Sequence, residues 1–178
     1  MEAPPLTAAE IEAAERQFGV VFPGDYRDFL RTVSAGGDVK TPRLVRGPDG
    51  WSWAGDDRTD LARLAEPFRD RDAIRLAWAD LDAREPSRDE APTAWQAWDG
   101  ECEAVHALET VGALFLATDG ISRTWLAVSG PYAGTLWFDM RATADRIVPI
   151  TSADGRAMTF AEWYRGDDRA LHDRLYRC

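Results

Sequence analysis

Cysteine and histidine, which build many nucleophilic and metal sites, are scarce in this sequence. The 178 residues include two cysteines, Cys102 and Cys178, and two histidines, His106 and His172. Cys178 is the last residue, where a disulfide would constrain little of the chain. We therefore expect two free thiols in a reducing compartment rather than a disulfide framework.

Long apolar runs and a basic leader are also missing. No segment approaches the roughly 18 uncharged apolar residues of a membrane helix, and the opening MEAPPLTAAE carries acid where a signal peptide carries base. We therefore expect a cytoplasmic protein with no membrane partner. With 45% apolar residues and eight tryptophans, the chain is long enough for one well-filled core. One domain over residues 1–178 is the expectation.

Motifs for nucleotide binding and hydrolysis are absent as well. No G-x-x-x-x-G-K-[ST], G-x-G-x-x-G or G-x-S-x-G occurs. Cys102 and His106 have the helical spacing of a thiolate–imidazole pair or half a zinc site, but no second such pair accompanies them. Two D-x-D pairs, at 70–72 and 80–82, arise easily by chance among 31 acids. We expect no catalytic residue, metal or cofactor, and an enzyme using Cys102 or a carboxylate pair is the least favoured alternative.

Acidic residues outnumber basic ones, and the excess is concentrated. The net charge of −10 disfavours a nucleic-acid partner, because little in the chain would release counterions from a phosphate backbone. Residues 80–109 hold nine acids and two bases, a net charge of −7 on 30 residues. Such a run is commonly a solvated face or loose loop. The alternative is an electrostatic docking surface for a basic partner.

Two short helices are predicted near the N-terminus. Thr7 and Glu10 form a capping box before the first, and Gly19 supplies a left-handed residue that ends it. Pro23 suits the first turn of the second helix, which Gly36–Gly37 should close. Each helix has one apolar stripe, formed by Ile11, Ala14 and Phe18 in the first and by Tyr26, Phe29, Leu30 and Val33 in the second. The two helices should fold back and share one core.

The middle of the chain gives weaker signals. Residues 43–53 predict a hairpin around a Gly-Pro-Asp-Gly turn, and 59–68 predict a short helix. Residues 74–78 are interpreted as a strand. The polar, proline-containing stretch 84–104 predicts little regular structure, so the acidic region around 80–109 resembles an insertion.

The C-terminal third predicts a meander and a final helix. The β-prone runs lie at 113–117, 124–128 and 135–139, a further short strand is expected at 147–150, and Thr159 with Glu162 forms a second capping box. The expected fold class is therefore α+β. An antiparallel meander sheet should be covered by the N-terminal helix pair and the C-terminal helix.

Tryptophans are frequent, and their positions predict two roles. Trp125, Trp137 and Trp163 fall in periodic elements and are predicted to lie in the core. Four more lie in the hairpin or in the charged stretch, where they are either buried or, if exposed, suited to anchor a partner. Together with nearby carboxylates they form the predicted partner-binding set: Trp51, Trp53, Asp56, Asp57, Trp95, Trp98, Asp99, Glu101 and Glu103.

Three motifs in order resemble the SUKH superfamily, which includes fungal cell-wall-assembly regulators and many bacterial immunity proteins. They are I-E-x-x-E-x-x-F-G-V-x-F-P-x-D-Y-R-x-F-L ending in G-G, then W-L-A-V-S-G-P-x-x-G-x-L-W-F-D, then T-F-x-E-W-Y. The resemblance implies an α+β domain without catalytic residues that acts by binding proteins. The sequence departs from the family pattern in its acidic middle and in Gly166-Asp167-Asp168, where the last helix should be interrupted or packed differently.

The resemblance and the charge together predict function. The first hypothesis is a cytoplasmic immunity protein that binds and neutralises a cognate bacterial toxin, with a basic nuclease toxin as the expected target. The second is a regulatory or scaffold module of the same fold that binds an endogenous protein. Both need only a folded domain with a recognition surface, so the residues alone do not separate the two hypotheses. They also indicate no oligomeric state.

Overall fold

A computed structural model of the chain describes residues 3–144, 146–166 and 171. The predicted positions of His172, Leu175 and Cys178 therefore lie outside the described residues. The elements in chain order are α1 Ala8–Phe18, α2 Gly24–Thr32, β1 Arg43–Gly47, β2 Gly50–Ala54, a 3₁₀ turn at Leu61–Arg63, α3 Arg71–Ala83, α4 Pro92–Leu108, β3 Ala113–Thr118, β4 Arg123–Ala127, β5 Leu136–Asp139, α5 Arg141–Ala144, β6 Ile147–Pro149 and α6 Phe160–Arg165.

The main sheet is an antiparallel meander in the order β3-β4-β5-β6, which confirms the predicted α+β class. Alternate residues point to opposite faces. One face, which includes Leu126, Leu136 and Phe138, packs in a single core with α1, α2, α6 and the β1–β2 hairpin. The other face carries Trp125 and Trp137 and is covered by Phe68 and Tyr132.

The N-terminal helices begin and pack largely as predicted. Thr7 and Glu10 cap α1 reciprocally, and Gly19 ends it with φ 68°. The prediction for the second helix needs two corrections. Pro23 is the residue before α2 rather than its first, and α2 ends at Thr32, ahead of the two glycines. Val33 is consequently 47% exposed instead of completing the buried stripe.

The β1–β2 hairpin packs against α1, and one α1 side chain pairs with the backbone of β2. The Gln17 amide accepts a hydrogen bond from Trp51 N at 2.7 Å and donates to Trp51 O at 2.8 Å, so it pairs with β2 as a neighbouring strand would. Trp53 stacks on Phe18 with ring centroids 4.8 Å apart, and its indole nitrogen donates to the Tyr26 hydroxyl at 3.0 Å. These contacts join the hairpin to the core that it shares with α1, α2 and α6.

Three predictions for the middle of the chain are wrong. The helix predicted at 59–68 is reduced to the 3₁₀ turn, and the strand predicted at 74–78 is part of α3. The stretch 84–104, predicted to be irregular, holds most of α4, which begins at Pro92. Proline suits a helix start because its missing N–H would have no helical partner there. None of the helices in the described ranges is long and apolar enough to span a membrane.

Lys40, the single lysine of the chain, caps the end of α6. Its ammonium donates to the carbonyl oxygens of Trp163, Tyr164 and Gly166 at 3.2, 3.1 and 2.8 Å, and it lies 5.5 Å from the centroid of the Trp163 ring. At the other end of α6, Thr159 and Glu162 form the predicted capping box. A cation bonded to terminal carbonyls complements the negative end of the helix dipole.

We expect Lys40→Met to lower the free energy of unfolding by about 1–2 kcal/mol, because the aliphatic stem remains while three charge-assisted hydrogen bonds are lost. Arg46→Met removes one positive charge from an exposed residue of β1 and is the matched control. Urea unfolding followed by tryptophan fluorescence measures both. Equal losses in the two variants would show that the cap contributes nothing.

Candidate protein-binding arm

Helices α3 and α4, with the loop 84–91 between them, form a helical arm. They pack mainly on each other. Of all their residues, only Ile74, Leu81 and Cys102 are buried. Residues 71–109, named here the arm, therefore expose most of their surface, unlike the other long helices. The acidic region identified in the sequence makes up most of the arm.

The arm is fixed to the sheet by a buried carboxylate at its root. Glu109, 5% exposed, follows α4 and accepts a hydrogen bond from the indole of Trp78 at 3.2 Å. Its oxygens lie 3.8 Å from Nη1 of Arg71 and 3.7 Å from Nη1 of Arg141. His106 Nδ1 is 3.4 Å away. Glu109 thus joins α3, α4 and the residues after β5.

A second buried carboxylate continues this network into the sheet. Arg141 donates to both oxygens of Asp139, at 3.0 and 2.8 Å, and the Trp125 indole donates to the same carboxylate at 3.2 Å. Burial alone would raise the pKa of Asp139, but the hydrogen bonds and charge of Arg141 outweigh it and hold the pKa below its usual value. Asp139 therefore stays ionised and orients Arg141 toward Glu109.

A cleft of about 590 Å³ lies between the arm and the sheet beside this network. Its walls include Arg75 and Trp78 from α3 and His106 from α4. Arg146, just before β6, and Ile147, its first residue, complete them. Acidic side chains at 72, 82 and 109 face the arginines across it. Because charges of both signs line the cleft, it has no strong preference for an anion or a cation.

We call the free end of the arm, which includes Arg84, Arg88, Trp95 and Trp98, the tip. The Trp98 indole donates to the carbonyl oxygen of Leu81 at 2.9 Å, and the Trp95 and Trp98 ring centroids are 6.3 Å apart. Arg84 donates to Asp80 at 2.9 Å and to Glu101 at 2.5 Å. The hydrogen bond and charge of Arg84 lower the pKa of Glu101. These contacts hold α3 and α4 together.

Six carboxylates of the arm are exposed and form no ion pair with any residue that the structure describes. They are Asp82, Glu85, Asp89, Glu90, Asp99 and Glu103. Asp99 and Glu103 are four residues apart on α4 and so share one face. Five of the six lie in the loop 84–91 or on α4, whereas Asp82 lies on α3 and also lines the cleft.

The structure divides the predicted partner-binding set. Trp51 and Trp53 are 6% and 3% exposed and lie in the core, which disfavours the predicted contact with a partner. Asp56 accepts hydrogen bonds from the backbone of Arg58 and Thr59 and from the Thr59 hydroxyl, which gives it a turn-forming role. Asp57 is exposed and paired with Arg58 at 3.1 Å.

The arm holds the rest of the set. Trp95 and Trp98 are half-buried at the tip, while Asp99 and Glu103 are exposed on α4. Glu101 is exposed but already paired with Arg84. No hydrogen bond, ion pair or ring contact within the described ranges joins these residues to Asp56 or Asp57. Five residues of the set therefore lie on α4, whereas Asp56 and Asp57 follow β2.

The residues that sequence reasoning weighed for chemistry have structural positions. Cys102 and His106 both lie on α4, but burial raises the pKa of the Cys102 thiol and the carboxylates of Asp99 and Asp82 raise it further, which disfavours a thiolate. Asp70 caps α3, and Asp80 pairs with Arg84. Among the described residues, no group of three or more His, Cys, Asp or Glu is arranged to hold a metal ion.

Sequence reasoning missed two features of this surface. The spacing of Asp80 and Arg84 is that of an i,i+4 ion pair, which would have supported a helix there. The cluster around Glu109 joins residues from 71 to 141 along the chain, and no local pattern indicates it.

Together these features define an α+β protein with a helix-covered meander sheet and an exposed acidic helical arm. The chain belongs to the SMI1 / KNR4 family (SUKH-1), whose family model matches residues 5–164. The match includes the arm and ends at the last residue of the T-F-x-E-W-Y motif. Comparison with curated proteins and with solved structures gave no significant match. The SUKH family includes immunity proteins and fungal regulators, which act by binding rather than by catalysis.

Proposed function

We propose that this protein is an immunity protein that binds a cognate bacterial toxin directly and neutralises it through the arm. The observation that carries the proposal is the set of six exposed carboxylates, free of ion pairs with described residues, beside two half-buried tryptophans. Membership of a family that includes immunity proteins supports it. The contact residues that we propose are Trp95, Trp98, Asp99 and Glu103, with Glu101 contributing less because Arg84 neutralises it.

Electrostatics favours a basic partner. Exposed charges of one sign raise the rate of encounter with an oppositely charged surface, and salt screens this effect over about 10 Å at 0.1 M ionic strength. Large aromatic side chains that become buried then slow dissociation. The arm offers both, with free carboxylates around Trp95 and Trp98.

A nuclease toxin is the proposed target class. Nucleases contact the phosphate backbone with lysine and arginine side chains, so their substrate-binding surfaces are basic. An acidic arm complements such a surface and would compete with nucleic acid for it. Neutralisation by this route requires no chemistry from the immunity protein, in keeping with the buried, high-pKa thiol of Cys102.

The experiment compares association rates with the toxin domain encoded by the adjacent gene. In Asp99→Asn/Glu103→Gln, we expect the association rate constant to fall about threefold to tenfold at low salt and much less at high salt. Asp28→Asn/Asp49→Asn removes the same charge from exposed positions on the body and should change the rate little. Equal rates for wild type and the arm variant at low salt would refute this assignment of the surface.

A regulatory or scaffold role is the second candidate, because the family also includes fungal regulators. The two candidates use the same arm and differ in the partner. A toxin gene beside this one, and growth protection of cells that express the toxin, would support immunity. An endogenous partner and no protection would support regulation.

We also propose that residues 1–178 act as one domain in the cytoplasm, with the acidic region 80–109 as an insertion. The family match covers residues 5–164, which supports a single domain. Asp57 remains a secondary contact candidate because its side chain is 85% exposed, whereas Asp56 is used by its own turn.

A further inference from the structure

At the tip of the arm, one arginine lies on the face of a tryptophan. The guanidinium carbon of Arg88 is 4.5 Å from the centroid of the Trp95 ring. Arg88 is exposed, and it forms no ion pair with a described residue although Asp89 and Glu90 follow it directly. The chain's own cation thus occupies an aromatic face at the most acidic part of the surface.

We propose that the face of Trp95 is a receptor for a guanidinium or ammonium side chain of the basic partner, and that Arg88 is its exchangeable internal occupant. The inference rests on the proposed function, since it specifies how a basic partner is anchored. It assigns separate roles to the two kinds of residue. Trp95 binds one cationic side chain, while the carboxylates attract the partner as a whole.

The contacts of Arg88 make exchange inexpensive. A cation–π contact at an exposed site is weak, so withdrawing Arg88 costs little. Arg88 lies in the loop before α4 rather than within a helix, and its side chain forms no hydrogen bond or ion pair with a described residue. An incoming arginine would regain the same stacking contact and would also lie near Asp99, one helical turn beyond Trp95. Exchange therefore costs little at Trp95, and the carboxylates of the arm supply the attraction for the partner's cation.

A peptide tests the receptor without the toxin. The probe is acetylated, amidated tetra-arginine, and its binding is followed at low salt by the chemical shift of the Trp95 indole proton. We expect Arg88→Ala to bind it about threefold more tightly than wild type, because the internal competitor is gone. Arg75→Ala removes the same charge from an exposed arginine of α3 and should show a smaller gain. Equal gains in the two variants would overturn the proposal.

Substitution of Trp95 is the second test of the receptor. Trp95→Leu should weaken tetra-arginine binding about threefold, whereas Trp95→Phe, which keeps an aromatic face, should stay within a factor of two of wild type. Helical content by circular dichroism checks that both variants fold. Both substitutions remove the indole proton that reports binding. Calorimetry therefore measures the binding of tetra-arginine to these two variants. If Trp95→Leu folds and binds as wild type does, the proposal is wrong.

The test separates this inference from the proposed function. If Asp99→Asn/Glu103→Gln weakens peptide binding while the Arg88 and Trp95 variants behave like their controls, the receptor is refuted and the acidic surface stands. In the opposite case, the toxin associates equally fast with wild type and with Asp99→Asn/Glu103→Gln, while the Arg88 and Trp95 substitutions change tetra-arginine binding as expected. The receptor then stands and the proposed toxin surface fails.

Discussion

Gly112→Ala should lower the free energy of unfolding by about 2–5 kcal/mol. Gly112 precedes β3 with φ +72°, and a Cβ there would lie 2.2 Å from the carbonyl oxygen of Glu66 and 2.7 Å from the nitrogen of Phe68. Left-handed backbone costs a non-glycine residue about 1–2 kcal/mol, and overpacking against atoms that cannot move adds about 1–3 kcal/mol. The backbone of 66–68 would have to shift away from the sheet.

Gly55→Ala is the matched control for this substitution. Gly55 has nearly the same backbone angle, φ +76°, but nothing lies within 4 Å of a Cβ built on it. Only the conformational cost then applies, about 1–2 kcal/mol. Urea unfolding of both variants measures the difference. If Gly112→Ala were no less stable than Gly55→Ala, the close packing of 66–68 on Gly112 would be wrong.

Glu109→Ala should destabilise the protein by about 3–5 kcal/mol, the second large effect. The substitution leaves the guanidinium groups of Arg71 and Arg141, with side chains 19% and 17% exposed, without their shared carboxylate. Removing one partner of a buried ion cluster costs more than the cluster contributes, because the remaining charges stay desolvated. Glu109→Gln should cost less, since the amide oxygen still accepts the Trp78 indole hydrogen bond.

Glu101→Ala is the control within the arm. Glu101 pairs with Arg84 on the exposed side of the arm, and exposed pairs contribute little. Chemical unfolding measures stability, and amide hydrogen exchange measures the arm separately. Glu109→Ala should speed exchange in α3 and α4 more than in β3 and β4, because the root of the arm is what fails. Uniform acceleration would show that Glu109 stabilises the whole molecule rather than the arm.

Local signals in the sequence predicted the body of the fold well. Capping boxes at Thr7 and Thr159 and the left-handed Gly19 act through neighbouring residues, and the structure confirms all three. The meander is predicted for the same reason, since its three main strands alternate between two buried faces and are separated by two glycine-containing turns. Such features depend on a few adjacent residues and are legible without the rest of the chain.

The arm was missed because its helices have few buried positions. Ile74 and Leu81 recur at i and i+7, too sparse a stripe to distinguish from a short apolar strand. In α4 only Cys102 is buried, and the polar, proline-containing start obscures the helical period. The helices are stabilised by contacts across the arm, such as Trp98 with Leu81 and Arg84 with Glu101, which join residues 17 apart in the chain.

The candidate site was predicted by charge but not by its aromatic residues. Six acids of 80–109 are exposed and form no ion pair with the part of the chain that the structure describes, in line with the composition. Trp53 and Trp95 both lie near aspartates in the sequence, yet Trp53 is covered by Phe18, Phe22 and Tyr26 from residues far earlier in the chain. Burial of a tryptophan depends on which distant segment packs on it, and the neighbouring residues in the sequence do not indicate that segment.

The arm leaves the body and returns to it at one place. Arg71, the first residue of α3, donates a hydrogen bond at 3.0 Å to the backbone carbonyl of Glu109, the residue after α4. Because both ends of the segment meet there, its length and surface can change in evolution while the strands on either side keep their register. The scaffold can therefore be inherited unchanged while this one segment diverges.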